Sequence, residues 1–155
     1  KKGNLCFLCT GRSLAEIYPH ILDVGFDGII GAGGGFVTIG DEMLYHKKVS
    51  NKDVHRVVDF FEENDYDYYL ESNGGLFASE NLVSRLEKIT YGDLENDENA
   101  RKKKEEQPSH FITSLIEGES MYRSDVNKIC FLENKDIPFL YSIWKYAYSI
   151  HMHMK

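Results

Sequence analysis

Two short apolar runs separated by a helix-like stretch set the strongest limit on the fold. Asn4 to Thr10 (NLCFLCT) is nearly continuous in apolar side chains, with Gly3 before it and Gly11 after it. A run of that length without alternation suits a strand covered on both faces, the habit of parallel sheets. Ser13-Leu14-Ala15-Glu16 follows as a capping-box pattern, and Leu14, Ile17, Tyr18, Ile21 and Leu22 keep helical spacing behind it. Pro19 falls inside that spacing, so a kink or a restart is expected there rather than one straight helix. Gly25 is placed to cap the end, and Asp27 to Ile30 is a second buried-strand candidate. Strand, helix and strand within about thirty residues is the size of a βαβ unit.

The pattern then changes. Gly31 to Gly35 reads as a flexible crossing, and Phe36 to Ile39 with Met43 to Lys48 reads as a hairpin around Gly40-Asp41. The switch from buried parallel strands to an exposed antiparallel pair puts a domain boundary near Gly34. Ser50 or Asn51 can cap a helix running to about Asn64, with Val54, Val57, Val58 and Phe61 on one face. Tyr66 to Ser72 is strand-like, Asn73-Gly74-Gly75 is a turn, and Leu76 to Ala78 can pair back. Ser79 or Glu80 opens a further helix bearing Leu82, Val83, Leu86 and Ile89. Gly92 to Gln107 is strongly charged and reads as a loop, an exposed helix or a mobile insertion. Val126 to Leu132 is a strand, and Ile137 to Ile150 a helix with Pro138 in its first turn.

The segment with most chemistry is Thr10-Gly11-Arg12. A hydroxyl at the carboxyl end of a parallel strand points into the crevice where α/β sheets bind ligands. Gly11 lets backbone approach an anion closely, the N–H groups of the next turn complete an oxyanion cradle, and Arg12 adds a planar, permanent cation. From residue chemistry alone an ordinary strand-to-helix turn with a capping hydroxyl remains an equal reading.

Charge and composition narrow the function classes. The 155 residues suffice for one domain or two small ones, and 42% apolar with 13% aromatic content argues for a packed core. The net charge of −7 disfavours nucleic acid as a partner, since the single basic run, Arg101 to Lys104, is followed directly by Glu105 and Glu106. No stretch approaches the length of a membrane span. Three cysteines without a targeting segment suggest reduced thiols and a cytoplasmic protein. The chain also starts without Met, as if inside a longer one.

Other candidate sites favour plain readings. Cys6 and Cys9 would face opposite sides of a strand, which suits two buried structural cysteines better than a metal or redox pair. Gly31-Ala32-Gly33-Gly34-Gly35-Phe36 lacks the last glycine of a dinucleotide fingerprint and reads as a hinge. His151 and His153 have no carboxylate or cysteine neighbour, and Asp65 and Asp67 read as turn residues. No metal ligand is assigned.

Gly3 to Val49 resembles the haloacid dehalogenase (HAD) superfamily, in its branch of Cof-like sugar-phosphate phosphatases. The features are the glycine before the strand, Thr10-Gly11-Arg12, the Asp27-Gly28-Ile29-Ile30 strand, and the glycine-rich crossing into a hairpin. Residues 50 to 139 then resemble that branch's α/β cap. The resemblance implies an upstream Asp-x-Asp pair, nucleophile and general acid–base, and Mg²⁺ bridging the first Asp, the phosphate and an acidic residue near the far end of the protein. It implies that Thr10 is the catalytic hydroxyl on the transferring phosphoryl group, with Gly11 N–H and Arg12 completing the phosphate site. The sequence departs from the pattern. No Asp-x-Asp strand precedes Thr10, no lysine motif or Gly-Asp-x-x-Asn-Asp-like motif follows the cap, and the crossing has no Asn-Gly.

The expected fold is thus α/β: a partial Rossmann-like HAD core with a parallel βαβ unit, plus an α+β cap with an antiparallel sheet. Residues 1–34 would belong to the core, 35–139 to the cap, and 140–155 to a helix or tail of uncertain placement. The expected function is a Mg²⁺-dependent phosphoric monoester hydrolase acting on small phosphorylated metabolites, with the 155 residues alone inactive. The alternative is a binding module derived from a cap, with Ile143, Trp144, Tyr146, Tyr148 and Ile150 meeting a partner.

Overall fold

The parallel pair expected at the start of the chain forms. In the computed structural model, which describes residues 3–132, β1 (Phe7–Cys9) lies parallel to β2 (Gly28–Gly31), with Phe7 opposite Gly28 and Cys9 opposite Ile30. The connection is shorter than its spacing suggested. A 3₁₀ turn, Leu14–Glu16, stops at Ile17, and a four-residue helix α1 (Pro19–Leu22) starts afresh. Pro19 explains the break, because a proline cannot donate into a preceding turn and sits best at a helix start. The capping box does not form. Ser13 makes no side-chain cap bond; its hydroxyl instead accepts from Asn127 Nδ2 at 3.0 Å.

The hairpin β3 (Phe36–Ile39) and β4 (Glu42–His46) also forms, turning at Gly40 with φ of +54°. Its partner corrects the reading above. β3 pairs antiparallel with β2, so the first sheet runs β1-β2-β3-β4, and residues 36–46 extend that sheet instead of joining the second one. The alternation marks a strand pair at the margin of the first sheet. Met43, Leu44 and Tyr45 are all exposed. β1 is likewise the outermost strand of its sheet among the described residues; Phe7 and Leu8 are half-buried, while Leu5 is 65% exposed and Cys6 and Cys9 are exposed rather than buried.

Helix α2 (Asn51–Glu63) begins where Ser50 Oγ accepts the Asp53 N–H at 3.2 Å. Its buried Val54, Val58 and Phe61 pack against Tyr68, Leu70, Phe77 and Val126 of the second sheet. That sheet runs β7-β6-β5-β8, built from β5 (Tyr68–Ser72), β6 (Leu76–Ala78), β7 (Leu115–Ile116) and β8 (Val126–Phe131). β5 pairs antiparallel with β6 and β8 as expected, whereas the two-residue β7 runs parallel to β6. Helix α3 (Leu82–Tyr91) follows, and the charged stretch resolves as an exposed helix, α4 (Glu98–Glu106), before the single turn α5 (His110–Thr113). The helix expected over 137–150 lies outside the described residues.

β5 sorts its side chains by alternation. Tyr68 and Leu70 join the α2 core. Tyr69 meets Phe111 of α5, and Glu71 meets the loop after β1. The second sheet therefore presents one face to its own helix and the other to the candidate site.

The first sheet depends on two close approaches. A Cβ at Gly31 would fall 2.1 Å from the Phe36 ring, which is fully buried, and one at Gly28 would fall 2.3 Å from the Thr38 carbonyl oxygen. Gly31→Ala should destabilise the protein by about 1–3 kcal/mol through overpacking, measured by urea unfolding. Unchanged stability would contradict this packing.

Candidate functional site

The loop after β1 is seated on the glycine crossing. Thr10 N–H donates to Ile30 C=O at 2.9 Å, continuing the parallel ladder. Thr10 C=O accepts Gly33 N–H at 3.2 Å, and Arg12 C=O accepts Ala32 N–H at 2.8 Å. The crossing reaches both carbonyls because Ala32, Gly33 and Gly34 all take positive φ. A trans peptide points its N–H opposite to its C=O. With Thr10 C=O facing the crossing, Gly11 N–H faces away, and it has no acceptor among the described residues. Thr10 Oγ1 accepts Arg12 N–H at 3.2 Å, which leaves the hydroxyl proton available to donate. Thr10 and Gly11 thus offer two donors at the carboxyl end of a parallel strand.

Arg12 turns away from that point. Its guanidinium donates to Glu16 C=O at 3.2 Å and stacks 4.6 Å over the Tyr18 ring. With Glu16, Tyr18, Leu76, His110 and Phe111 it lines a cavity of about 100 Å³ between the loop and the second sheet. That is room for a few water molecules or a small polar group.

The rest of the loop is held by side chains the sequence reading had not joined to it. Ser13 N–H donates to Glu71 Oε2 at 3.3 Å, and Leu14 N–H to Asn73 Oδ1 at 3.2 Å. Asn127 Nδ2 donates to Ser13 Oγ at 3.0 Å and to Asn73 Oδ1 at 2.8 Å, and Asn127 Oδ1 lies 2.6 Å from His46 Nε2. Lys128 Nζ reaches Gly11 C=O at 3.1 Å and Glu71 Oε1 at 2.6 Å. The expected cradle of free N–H groups is accordingly smaller than a helix start would give. Ser13 and Leu14 spend their donors on β5 and its turn, because a three-residue 3₁₀ turn leaves them uncapped and Glu71 and Asn73 stand opposite. Sequence spacing carried no signal for these partners, which lie 58 and 59 residues away.

Charge is concentrated here. Glu71 is fully buried and answers Lys128, Ser13 N–H and the Cys130 thiol, whose Sγ lies 3.3 Å from Oε1. Burial, reinforced by the Glu71 charge, pushes Glu16 above the ordinary carboxylate range. Burial also pushes the Cys130 thiol up to about 11, against the Tyr69 hydrogen bond and with the Glu71 charge. For Lys128 burial opposes the charge, but the Glu71 hydrogen bond and charge outweigh it and hold the ammonium above its usual range. Two buried polar atoms have no partner among the described residues, Glu16 Oε2 and Asn73 Nδ2.

These residues do not fit a Mg²⁺ site. Glu71 is committed to Lys128, Ser13 and Cys130, and the described residues contain no group of three or more His, Cys, Asp or Glu able to hold a metal. Asp65 takes a left-handed turn conformation and Asp67 pairs with Arg85. His151 and His153 lie outside the described residues. Among the described residues no helix is long and apolar enough to cross a membrane.

A parallel strand ending in a hydroxyl–glycine–arginine loop, covered by the free face of a second α+β sheet, defines a Rossmann-like α/β protein with a cap. The profile of the haloacid dehalogenase-like hydrolases matches residues 1–139, and the chain belongs to that family. No curated protein matches it significantly. Among solved structures it is similar to a hypothetical protein from Geobacillus kaustophilus (TM-score 0.61, 10% identity, 88% of this chain and 47% of that one). It is also similar to a haloacid dehalogenase-like hydrolase from B. subtilis (0.56, 16%, 93% and 54%). A third similar structure is a HAD subclass IIB sugar phosphatase (0.51, 18%, 81% and 44%). These likenesses show that the chain shares its fold with those structures. The chain spans about half the length, or less, of the solved structures it matches.

Glu16 supplies a pH test. A carboxyl whose folded pKa is raised binds its proton more tightly in the folded state, so stability falls as pH rises through that range. Glu16→Gln should therefore raise the melting temperature at pH 7, with the gain shrinking as pH falls toward the ordinary value of 4.5. A gain independent of pH, or a loss at pH 7, would contradict the electrostatic assignment.

Proposed function

We propose that this chain carries the phosphate grip of a Mg²⁺-dependent phosphoric monoester hydrolase acting on small phosphorylated metabolites. The core would run through β4, and residues from Ser50 onward would act as the cap. The observation that carries the reading is the pair of outward donors, Thr10 hydroxyl and Gly11 N–H, on a loop whose Thr10 and Arg12 carbonyls are pinned by the crossing.

In this reading Thr10 donates to a non-bridging phosphoryl oxygen and Gly11 N–H supports the same charge. Phosphoryl transfer depends mainly on positioning and charge stabilisation, so fixed donors matter most as charge develops. Arg12, stacked on Tyr18, stands at the cavity where a leaving group would emerge. Glu16, whose Oε2 has no hydrogen-bond partner among the described residues, lines the same cavity and offers a polar contact to that group. The aspartate nucleophile and the residues that hold Mg²⁺ would come from outside the described set; bound there, the ion would supply charge neutralisation at the phosphoryl group. The 155 residues alone are accordingly expected not to turn over.

The test uses a chain extended upstream through an Asp-x-Asp strand. Thr10→Ala should lower kcat by about 10²–10³-fold, the usual cost of one oxyanion donor, while KM moves little. Thr10→Ser should keep most activity. If Thr10 merely caps the strand end, Thr10→Ala will lose about 1 kcal/mol of stability with kcat intact, and the assignment falls.

A further inference from the structure

The carbonyls of the loop are not all held alike. Thr10 C=O takes Gly33 N–H, Arg12 C=O takes Ala32 N–H, Ser13 C=O takes Glu16 N–H at 2.9 Å, and Leu14 C=O takes Ile17 N–H at 3.2 Å. Each of these donors is backbone and lies within 25 residues in sequence. Gly11 C=O is the exception: its donor is a side chain, Lys128 Nζ, 117 residues away on β8. Gly11 also has no side chain to hold it. It is exposed, and a Cβ placed on it would meet nothing within 4 Å, so the contacts on its peptide are the hydrogen bonds to Lys128 and Thr10.

Lys128 is well placed for that task. It stands directly opposite Glu71 in the β5–β8 register, 2.6 Å from a carboxylate that is fully buried. The same carboxylate takes Ser13 N–H, so Glu71 holds the loop at Ser13 directly and at Gly11 through Lys128. Turning the Gly11 carbonyl toward Lys128 turns Arg12 N–H the other way, onto Thr10 Oγ1. That contact takes up one lone pair of the hydroxyl and leaves its proton to donate elsewhere.

We propose that Lys128 is a positioning residue for phosphate binding: anchored on Glu71, its ammonium fixes the Gly11–Arg12 peptide, so the second sheet sets the shape of the phosphate loop. The proposal rests on the phosphate-site reading of Thr10 and Gly11. It makes seating of the cap on the loop a condition for a competent site. A plain cross-strand ion pair would stabilise the sheet and leave the loop unaffected.

The experiment is amide NMR on the 155-residue chain, free and titrated with orthophosphate, for wild type, Lys128→Met and Lys128→Arg. In Lys128→Met the Arg12 amide should shift and exchange faster, and orthophosphate should bind about tenfold more weakly, the scale of one hydrogen bond to a charged group. Lys128→Arg keeps the cation and should restore both. If Lys128→Met does not fold because Glu71 stays buried and unpaired, Glu71→Gln/Lys128→Met removes that charge and must show the same Arg12 change. An Arg12 amide that is the same in wild type and in the folded variant overturns the proposal, as does unchanged orthophosphate affinity. A wild type that gives no orthophosphate response sinks the phosphate-site reading instead, and the Arg12 amide of the free protein still decides the role of Lys128.

Discussion

A buried carboxylate has to be answered, and the structure answers Glu71 three times. Its charge cannot remain in the interior without a partner, because removing either member of such a pair leaves an uncompensated ion. Lys128 supplies the countercharge from the opposing strand, while Ser13 N–H and the Cys130 thiol fill the remaining lone pairs. Two of those partners belong to the second sheet and one to the loop of the first. The need to satisfy one ion therefore ties the two sheets together at the candidate site. Asn73 and Asn127 extend the seam with neutral bonds, and His46 of the hairpin closes it on the far side.

That seam explains why the loop keeps a defined shape without a long helix behind it. A helix start would have offered a row of free N–H groups and a dipole. Here Pro19 limits the segment to a single 3₁₀ turn, and the order a helix would have supplied comes from side chains on β5, its turn and β8. Thr10 and Gly11 keep their donors facing outward because the crossing and Lys128 occupy the carbonyls on the other side. The family and the fold follow from the profile match and the sheet architecture; the phosphate role is the reading those donors support.

Much of the fold was legible in the sequence where a local rule decided it. The capped helix α2, the turn at Asn73–Gly75 and the hairpin at Gly40 each carry their own signal in Ser50, paired glycines or alternation. The failures share one cause, which is pairing at a distance. Alternation in Phe36–His46 marked an exposed strand pair correctly but could not say which sheet it would join. The apolar run at Asn4 to Thr10 suggested a covered strand, yet cover depends on what packs against it, and among the described residues Cys6 and Cys9 are exposed while Phe7 and Leu8 are half-buried. The candidate site divided the same way. Thr10, Gly11 and Arg12 were visible because they are contiguous, whereas Glu71, Asn73, Asn127 and Lys128 look like ordinary strand and turn residues until the register sets them opposite the loop.

The proposed phosphate grip requires an oxyanion at Thr10 and Gly11. The most direct measurement is a crystal structure of the chain soaked in orthophosphate or orthovanadate. The account predicts an anion within hydrogen-bond distance of Thr10 Oγ1 and Gly11 N, with the Gly11 carbonyl still turned to Lys128. An anion bound elsewhere with that loop empty, or one gripped only after the Gly11 carbonyl has turned away from Lys128, would contradict it.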